Sequence, residues 1–260
     1  MLGAIAGDII GSVYEAAPIK TPDFPLFGPG ATFTDDTVLT VAVAAAILDA
    51  PDGSADYGRF LQDYARRYPR AGYGGTFYRW IFSSHPEPYH SWGNGSAMRV
   101  SPVGAAFDSA DRVLAEAERS AAVTHDHPEG IKGARATALA IHLARTGADR
   151  EVIRREIEDR FGYHLRRTVE EIRPGYRFDV SCQGSVPEAM VAFFDSGDFE
   201  DAVRLAVSLG GDTDTQACIA GGIAQAYYGG VPDAIAEAAR VRLPEDLLEV
   251  IDRFEARYGR

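Results

Sequence analysis

The sequence predicts an all-α fold in one compact domain that spans residues 1–260. Apolar residues recur at helical spacing through most of the chain, and Ser, Thr or Asp stands before many of these segments as an N-cap. No alternating run of β-branched residues has a convincing length, although short strands remain compatible with the sequence. We expect about ten helices that share one hydrophobic core.

The helices of the first half are predicted from the signals at their N-termini. The segment TDDTVLTVAVAAAIL has cap-type residues followed by an alanine-rich apolar run that is too long for a typical strand. The segment from Asp56 to Tyr68 is amphipathic, and Ser109 precedes a segment that separates charged from apolar residues. Pro128 suits the first turn of a helix through ARATALAIHLA, because that turn needs no backbone donor.

The helices of the second half follow the same rules. Asp149 is expected to cap EVIRREIEDRF, and Asp198 is expected to cap FEDAVRLAVSL. Ser185 and Glu188 match a capping box before AMVAFF. The helical set is completed by QACIAGGIAQAYY, DAIAEAARV and EDLLEVIDRFEARY. Residues 18–33, 69–102 and 168–184 interrupt the pattern, and long segments of this kind are often functional.

Composition and charge exclude several classes of protein. Hydrophobic residues make up 46% of the chain and charged residues 25%, which argues against disorder. The formal net charge of −12 disfavours broad nucleic-acid binding but permits a small anionic ligand beside a metal. Cys182 and Cys218 form no CxxC pair. The N-terminus lacks a basic signal-peptide region, and no apolar run reaches about 18 residues, so we expect a cytoplasmic protein without a membrane helix.

Two similar acidic clusters stand far apart in the sequence, each directly before an alanine-rich helix. One is TDDT at residues 34–37, and the other is DTDT at residues 212–215, which follows two glycines. Helix capping accounts for either cluster alone, since Asp and Thr are good caps and acids complement the helix dipole. Capping needs only one or two oxygens, however, and each cluster offers two carboxylates and two hydroxyls.

The two clusters together predict a metal site. If the two helix starts meet in the fold, four carboxylates converge, and their repulsion requires a positive counter-charge. Mg²⁺ binds oxygen ligands of this kind, and bridging carboxylates can hold two such ions together. Neither cluster contains histidine or cysteine, which argues against zinc.

Two glycine-containing segments supply further candidate groups. In GDIIGSVYE, residues 7–15, Asp8 is either a cap or a partner for a backbone amide, and Glu15 either faces the metals or is solvated. In WGNGSAMRVSPVG, residues 92–104, the turn at 93–96 either presents consecutive N–H groups to a pyrophosphate or is an ordinary turn. Three aromatic residues are candidates for stacking on an adenine or for the core, namely Tyr73, Phe77 and Trp92.

The segment THDHPEGIKGA, residues 124–134, contains two alternating histidines. No third nitrogen or sulfur ligand lies nearby, so His125 and His127 do not indicate a zinc site. His125 is better interpreted as a hydrogen-bond donor to a ligand or to the backbone, and His127 as a surface or cap residue.

These motifs, taken in order, resemble those of the ADP-ribosylglycohydrolase family, which includes the dinitrogenase-reductase-activating glycohydrolases. The matching motifs are GDIIGSVYE, TDDT, WGNGSAMR, TH with a glycine five residues later, and GGDTDT. The resemblance implies an orthogonally packed all-α domain with two Mg²⁺ or Mn²⁺ ions. It also implies an enzyme that hydrolyses the glycosidic bond between ADP-ribose and a modified target.

The resemblance further implies roles for individual residues. The implied metal ligands are Thr34, Asp35, Asp36, Asp212, Asp214 and Thr215. The candidate catalytic acids are Glu15, Asp35 and Asp36. The implied substrate-binding residues are Gly93, Asn94, Gly95, Ser96 and His125.

Two other interpretations stay open at the level of sequence. Clustered aspartates also suit a two-metal phosphoesterase or nucleotide hydrolase, and the chain could be a non-catalytic relative that binds ADP-ribose. The expected partner is an ADP-ribosylated protein, a nucleobase or a small molecule, with no membrane partner, and the expected state is a monomer. The sequence does not determine the acceptor linkage or the choice between Mg²⁺ and Mn²⁺.

Overall fold

The structure is a computed structural model, and it describes residues 1–259. This part of the chain contains fifteen helices and no sheet, so the all-α prediction is confirmed. In chain order the helices are α1 Leu2–Gly11, α2 Asp35–Asp49, α3 Tyr57–Arg67, α4 Gly75–Ile81, α5 Gly95–Met98, α6 Ser101–Ala106, α7 Ala110–Ala122, α8 Pro128–Arg145, α9 Arg150–Phe161, α10 Val169–Ile172, α11 Cys182–Asp195, α12 Phe199–Ser208, α13 Thr213–Tyr228, α14 Asp233–Arg240 and α15 Glu245–Tyr258.

Most of the predicted N-caps are confirmed. The side chains of Ser109, Asp149 and Asp198 each accept a hydrogen bond from the backbone N–H three residues later, and Asp56, for which no cap was predicted, does the same. These bonds satisfy donors that a helix start leaves without an intrahelical partner. His127 occupies the N-cap of α8, where its side chain accepts from Glu129 N, so its predicted cap position is also confirmed.

The predicted capping box at Ser185 and Glu188 is wrong. Helix α11 already begins at Cys182, and Ser181 is its N-cap, with a side chain that accepts from Gly184 N. Ser185 Oγ instead donates to the carbonyl oxygen of Ser181, and Glu188 forms an ion pair with Arg167. Both residues therefore lie inside the helix, because an earlier serine provides the cap.

The structure also contains more helices than the ten expected. Helices α4, α5, α6 and α10 have four to seven residues and lie in or beside the segments that interrupt the helical pattern. Helix α1 is buried along its whole length, so it has no polar face and no amphipathic pattern. Within residues 1–259, no helix combines the length and apolar character needed to cross a membrane.

Helices α1 and α13 pack antiparallel with almost no side-chain layer between them. A Cβ added at Gly3, Gly7 or Gly11 would fall within 3.0 Å of a backbone atom of α13. The nearest carbonyl oxygens are those of Gly221, Ala217 and Thr213, in that order. Because α1 ends where α13 begins, this packing brings the segment after Gly11 beside the DTDT cluster.

The start of α2 is attached to the same place through Asp8 of α1. The buried Asp8 carboxylate accepts hydrogen bonds from the backbone N–H groups of Thr34, at 3.0 Å, and Thr37, at 3.1 Å. It also accepts from the hydroxyls of both threonines. The prediction that Asp8 partners a backbone amide is confirmed, and the two acidic helix starts lie at one end of the hydrophobic core.

Candidate metal centre and active site

Both acidic clusters line one cavity of about 430 Å³. Asp35 and Asp36 lie on one side of this cavity, and Asp212 and Asp214 also line it. Glu15, the glycine-rich turn and His125 complete much of the remaining wall. The predicted convergence of two distant helix starts is therefore present in the fold.

The first cluster is held by hydrogen bonds that leave carboxylate oxygens available. Thr34 caps α2 by accepting from Asp36 N at 3.3 Å, and its hydroxyl donates to Asp8 Oδ1 at 2.7 Å. Asp36 is 2% exposed, and its Oδ2 accepts from Thr215 Oγ1 at 3.3 Å, across 179 positions of sequence. Asp36 Oδ1 is buried without any hydrogen-bond partner among the described residues.

The second cluster begins α13 without capping it. Asp212 stands at the N-cap position but accepts no cap hydrogen bond. Its Oδ2 accepts instead from Asn94 Nδ2 at 2.8 Å, and Asp214 Oδ1 accepts from Thr215 N at 2.9 Å. Oxygens of Glu15, Asp212 and Asp214 all lie within 4.8 Å of one another, so Glu15 stands beside this cluster. Three carboxylates at this spacing are suited to a shared cation.

The electrostatics of the cavity favour a bound cation. Burial, followed by repulsion from neighbouring carboxylates, raises the pKa of Asp35 and Asp36 well above the usual value. The same causes raise the pKa of Asp214 to about 8 and that of Asp8 to about 7. Burial also raises the pKa of Asp212 and Glu15.

No lysine or arginine within residues 1–259 forms a salt bridge with any of these carboxylates. Buried carboxylates without a counter-charge are costly, and a divalent cation would supply that charge. The donor set is composed of carboxylate and hydroxyl oxygens, and the unpartnered Asp36 Oδ1 provides a free acceptor. These residues fit Mg²⁺ or Mn²⁺ and do not fit a soft metal.

The glycine-rich turn differs from the predicted row of free N–H groups. Gly93 N donates to Ser91 Oγ at 3.2 Å, and Asn94 N donates to Val180 O at 2.8 Å. Ser96 is fully buried, and its hydroxyl donates to Gly130 O at 2.7 Å. Because these groups are used within the protein, only part of the turn can present donors to a ligand.

The residues of the turn also differ in whether they line the cavity. Asn94 contacts the second acidic cluster, Ser96 does not line the cavity, and the Gly93 and Gly95 backbones do line it. His125 lies against this turn, since a Cβ added at Gly95 would be 3.2 Å from His125 Nε2. His125 Nδ1 lies 2.7 Å from Thr124 Oγ1, so Nε2 is the ring nitrogen on the side of the turn.

Of the three aromatic candidates, Phe77 lines the cavity, whereas Tyr73 and Trp92 do not. Tyr73 stacks on Phe77 with ring centroids 5.5 Å apart, and the mostly buried Phe77 forms part of the cavity wall. Trp92 is 48% exposed beside the turn. Phe178 and Val180 are exposed apolar residues that line the cavity and were missed by sequence reasoning. Their only sequence signal was their place in the interrupting segment 168–184.

Comparisons with known proteins identify the family of this chain. A family model described as ADP-ribosylglycohydrolase matches residues 1–260. The chain is 29% identical to ADP-ribosylhydrolase ARH3 of Bos taurus, over 88% of this chain and 84% of that protein. It is 28% identical to ADP-ribosylarginine hydrolase Tri1 of Pseudomonas putida (strain GB-1), over 88% of this chain and 69% of that protein.

A solved structure described as an ADP-ribosylglycohydrolase-related protein complex has the same architecture. It superposes with a TM-score of 0.74 at 28% identity, and the match covers 99% of this chain and 97% of that chain. The family match over the whole sequence, the shared fold and the converging acidic clusters lead to one assignment. The chain belongs to the ADP-ribosylglycohydrolase family and is a hydrolase of glycosidic bonds to ADP-ribose.

Proposed function

We propose that this protein hydrolyses the N- or O-glycosidic bond between ADP-ribose and a modified target, with two Mg²⁺ or Mn²⁺ ions in the acidic cavity. The observation that carries the proposal is the meeting of Asp36 and Thr215 across 179 positions of sequence. Around them lie buried carboxylates with no cationic side chain as partner among the described residues. At neutral pH such carboxyl groups either hold protons or bind a cation, and a bound cation favours their ionised form.

The proposed metal ligands are oxygen atoms from the two helix starts. They belong to Thr34, Asp35, Asp36, Asp212, Asp214 and Thr215. Glu15 stands close enough to Asp212 and Asp214 to share in binding or to control access. When bound, divalent cations supply Lewis acidity and orient the ribose hydroxyls.

The chain's own residues are proposed to bind the substrate and to move the proton. Cleavage at C1″ of the distal ribose builds oxocarbenium character, which the surrounding carboxylates stabilise electrostatically. Glu15, Asp35 and Asp36 are the candidates for accepting a proton from the attacking water. In the metal-free protein burial and nearby charge raise the pKa of all three carboxyl groups, and bound cations would favour the ionised form, which is the form that accepts a proton.

The remainder of ADP-ribose is proposed to extend from the metals toward the glycine-rich turn. The Gly95 backbone, together with His125, would bind the diphosphate, and Gly93, whose N–H already bonds to Ser91 Oγ, would allow its close approach. The exposed aromatic side chain of Phe178, which lines the cavity, would contact the adenosine. Binding of these remote groups would orient the reacting ribose.

The proposal extends to the oligomeric state, the cellular location and the substrate class of the protein. Residues 1–260 are proposed to form one catalytic domain that acts as a monomer in the cytoplasm. The substrate is an ADP-ribosylated protein, nucleobase or small molecule. The net charge of −12 disfavours broad nucleic-acid binding.

The proposal is tested by product analysis with arginine-linked, serine-linked and nucleic-acid-linked ADP-ribose, with and without Mg²⁺. We expect free ADP-ribose from at least one substrate, and we expect EDTA to abolish its release. Asp35→Ala and Asp212→Ala should abolish both release and Mn²⁺ binding, whereas Asp159→Ala, an exposed acid on α9, should change neither. Full activity in EDTA would rule out the metal scheme. AMP and ribose phosphate as products would show a phosphoesterase, and binding without turnover would show a non-catalytic relative.

A further inference from the structure

Arg99 is a fully buried cation that contacts only neutral acceptors. It follows α5, the short helix that begins in the glycine-rich turn, and its side chain is 0% exposed. Its Nη2 donates to Ser120 O and to Thr124 Oγ1, both at 2.9 Å. Its Nε and Nη1 have no hydrogen-bond partner among the described residues. A buried guanidinium without a carboxylate partner is costly, so its position calls for an explanation.

The Thr124 hydroxyl connects Arg99 to His125. Thr124 Oγ1 lies 2.7 Å from His125 Nδ1. A guanidinium can only donate, so the threonine oxygen acts as the acceptor from Arg99. The same oxygen can donate its own proton to His125 Nδ1, or it can accept a second hydrogen bond from a protonated Nδ1. Because it already accepts from the charged Arg99, its hydroxyl is polarised toward donation to Nδ1. In a neutral imidazole whose Nδ1 accepts, the ring proton is on Nε2.

His125 Nε2 lies on the side of the ring that faces the turn and the cavity. A Cβ added at Gly93 or Gly95 would lie 3.6 or 3.2 Å from this nitrogen. Burial and the charge of Arg99 lower the pKa of His125, so the ring is neutral at physiological pH. A neutral ring needs a defined tautomer to act as a donor, because its two nitrogens have opposite roles.

We propose that Arg99 and Thr124 are positioning residues that hold His125 as its Nε2–H tautomer, so that Nε2 donates to a diphosphate oxygen of the ligand. The donor role rests on the proposed function, since it requires ADP-ribose in the cavity. The tautomer itself does not, because the three side chains are already connected in the free protein. The arrangement provides a hydrogen-bond donor for an anionic ligand while the imidazole ring stays neutral beside the charged Arg99.

The tautomer is tested by ¹⁵N NMR of the imidazole nitrogens in histidine-labelled, ligand-free protein at pH 7.5. The chain has six histidines, and the His125 signals are assigned by their loss in His125→Asn. We expect a protonated Nε2 and an unprotonated Nδ1 in the wild type and in Thr124→Ser, which keeps the hydroxyl. Thr124→Val should redistribute the ring proton between the nitrogens. A wild-type ring protonated on Nδ1, or a Thr124→Val spectrum equal to the wild type, would overturn the proposal.

The donor role is tested by ADP-ribose binding and by steady-state kinetics in Mg²⁺. Loss of one hydrogen bond to a charged group corresponds to about a tenfold rise in Kd for Thr124→Val, and Thr124→Ser should restore most of the affinity. KM should rise with little change in kcat, because this bond is present in both the ground state and the transition state. The matched control is Thr137→Val, which removes a buried threonine hydroxyl that has no partner in the described structure.

Failure of this inference and failure of the proposed function give different results. If Thr124→Val alters the tautomer but leaves Kd and KM unchanged, and the wild type still releases ADP-ribose, then the donor role is overturned and the proposed function is not. A wild type that neither binds nor releases ADP-ribose would overturn the proposed function and the donor role together. In that case the NMR result would still decide whether the Thr124 hydroxyl sets the tautomer.

Discussion

Asn94 donates a hydrogen bond from its side-chain amide to Asp212 Oδ2 at 2.8 Å, although 118 positions separate the two residues. This bond connects the glycine-rich turn to the second acidic cluster. A carboxylate with one oxygen held by an amide has a defined orientation, and its other oxygen is directed elsewhere. Asn94 is therefore placed to orient a proposed metal ligand.

Asn94→Ala should weaken Mn²⁺ binding by about 10–100-fold, since loss of a group that orients a ligand has effects of this size. Isothermal titration calorimetry measures the affinity. Gln62→Ala is the matched control, because the Gln62 amide donates to Trp80 O and Ser83 O and does not line the cavity. An unchanged affinity in Asn94→Ala would contradict the assigned role.

Asp36→Asn should have opposite effects on stability with and without metal. In EDTA it removes a carboxyl group whose pKa is raised by burial and repulsion and which therefore opposes folding at neutral pH, so we expect it to stabilise the fold by about 1 kcal/mol or more. With Mg²⁺ it removes a ligand, so the stabilisation that the metal provides to the wild type should be lost. Thermal unfolding measures both effects. Asp159→Asn on the exposed face of α9 should change neither, and a less stable Asp36→Asn in EDTA would contradict this account.

The metal-free protein should lose stability as pH rises from 7 to 8. The pKa of Asp8 is raised to about 7 and that of Asp214 to about 8, so the folded state holds protons that the unfolded state releases near pH 4. Stability from such groups is present at low pH and is lost as pH rises through the folded pKa. Each additional proton held by the folded state contributes a slope of ~1.4 kcal/mol per pH unit.

Urea unfolding at several pH values in EDTA measures this slope. His125 and His142, whose lowered pKa values have the opposite effect, act at and below their usual value of 6.5, and the cysteine thiols titrate at higher pH. The buried Met1 amine, whose pKa is lowered from 8.0, has the opposite effect inside this pH window, so the slope is compared with and without Mg²⁺. Saturating Mg²⁺ should flatten the slope, because a cation that neutralises the carboxylates favours their ionised form. The same slope with and without Mg²⁺ would show that the carboxylates do not bind the metal.

Gly7→Ala should destabilise the protein by about 3 kcal/mol, because the new Cβ would meet the backbone of Ala217 and push α1 away from α13. It should also weaken Mn²⁺ binding, since this contact sets the position of both acidic helix starts. Chemical denaturation and calorimetry measure the two effects.

Gly222→Ala on α13 is the matched control for this glycine contact. Its Cβ would meet its neighbours only at 3.4–3.5 Å, which is ordinary van der Waals contact. Alanine also has a higher helix propensity than glycine, so this variant should be stabilised by about 0.5–1 kcal/mol. Equal effects of the two substitutions would contradict the close packing of α1 on α13.

The sequence by itself determined the features that depend on near neighbours. The caps at Ser109, Asp149 and Asp198 and the long helices after them follow from local hydrogen bonding and helical periodicity. The two acidic clusters could also be recognised, since each has more carboxylates than a helix cap requires. The order of the motifs was sufficient to indicate the family, and the family match confirms it.

Only the tertiary structure decided how these parts meet. The bond from Thr213 Oγ1 to Gly11 O spans 202 positions, and no local pattern specifies such a contact. The cap at Ser181, the buried hydroxyl of Ser96 and the bond from Asn94 to Asp212 likewise depend on which backbone arrives beside each side chain. The physical reason is that caps and periodicity act over a few residues, whereas the cavity is formed where helices distant in sequence pack backbone against backbone.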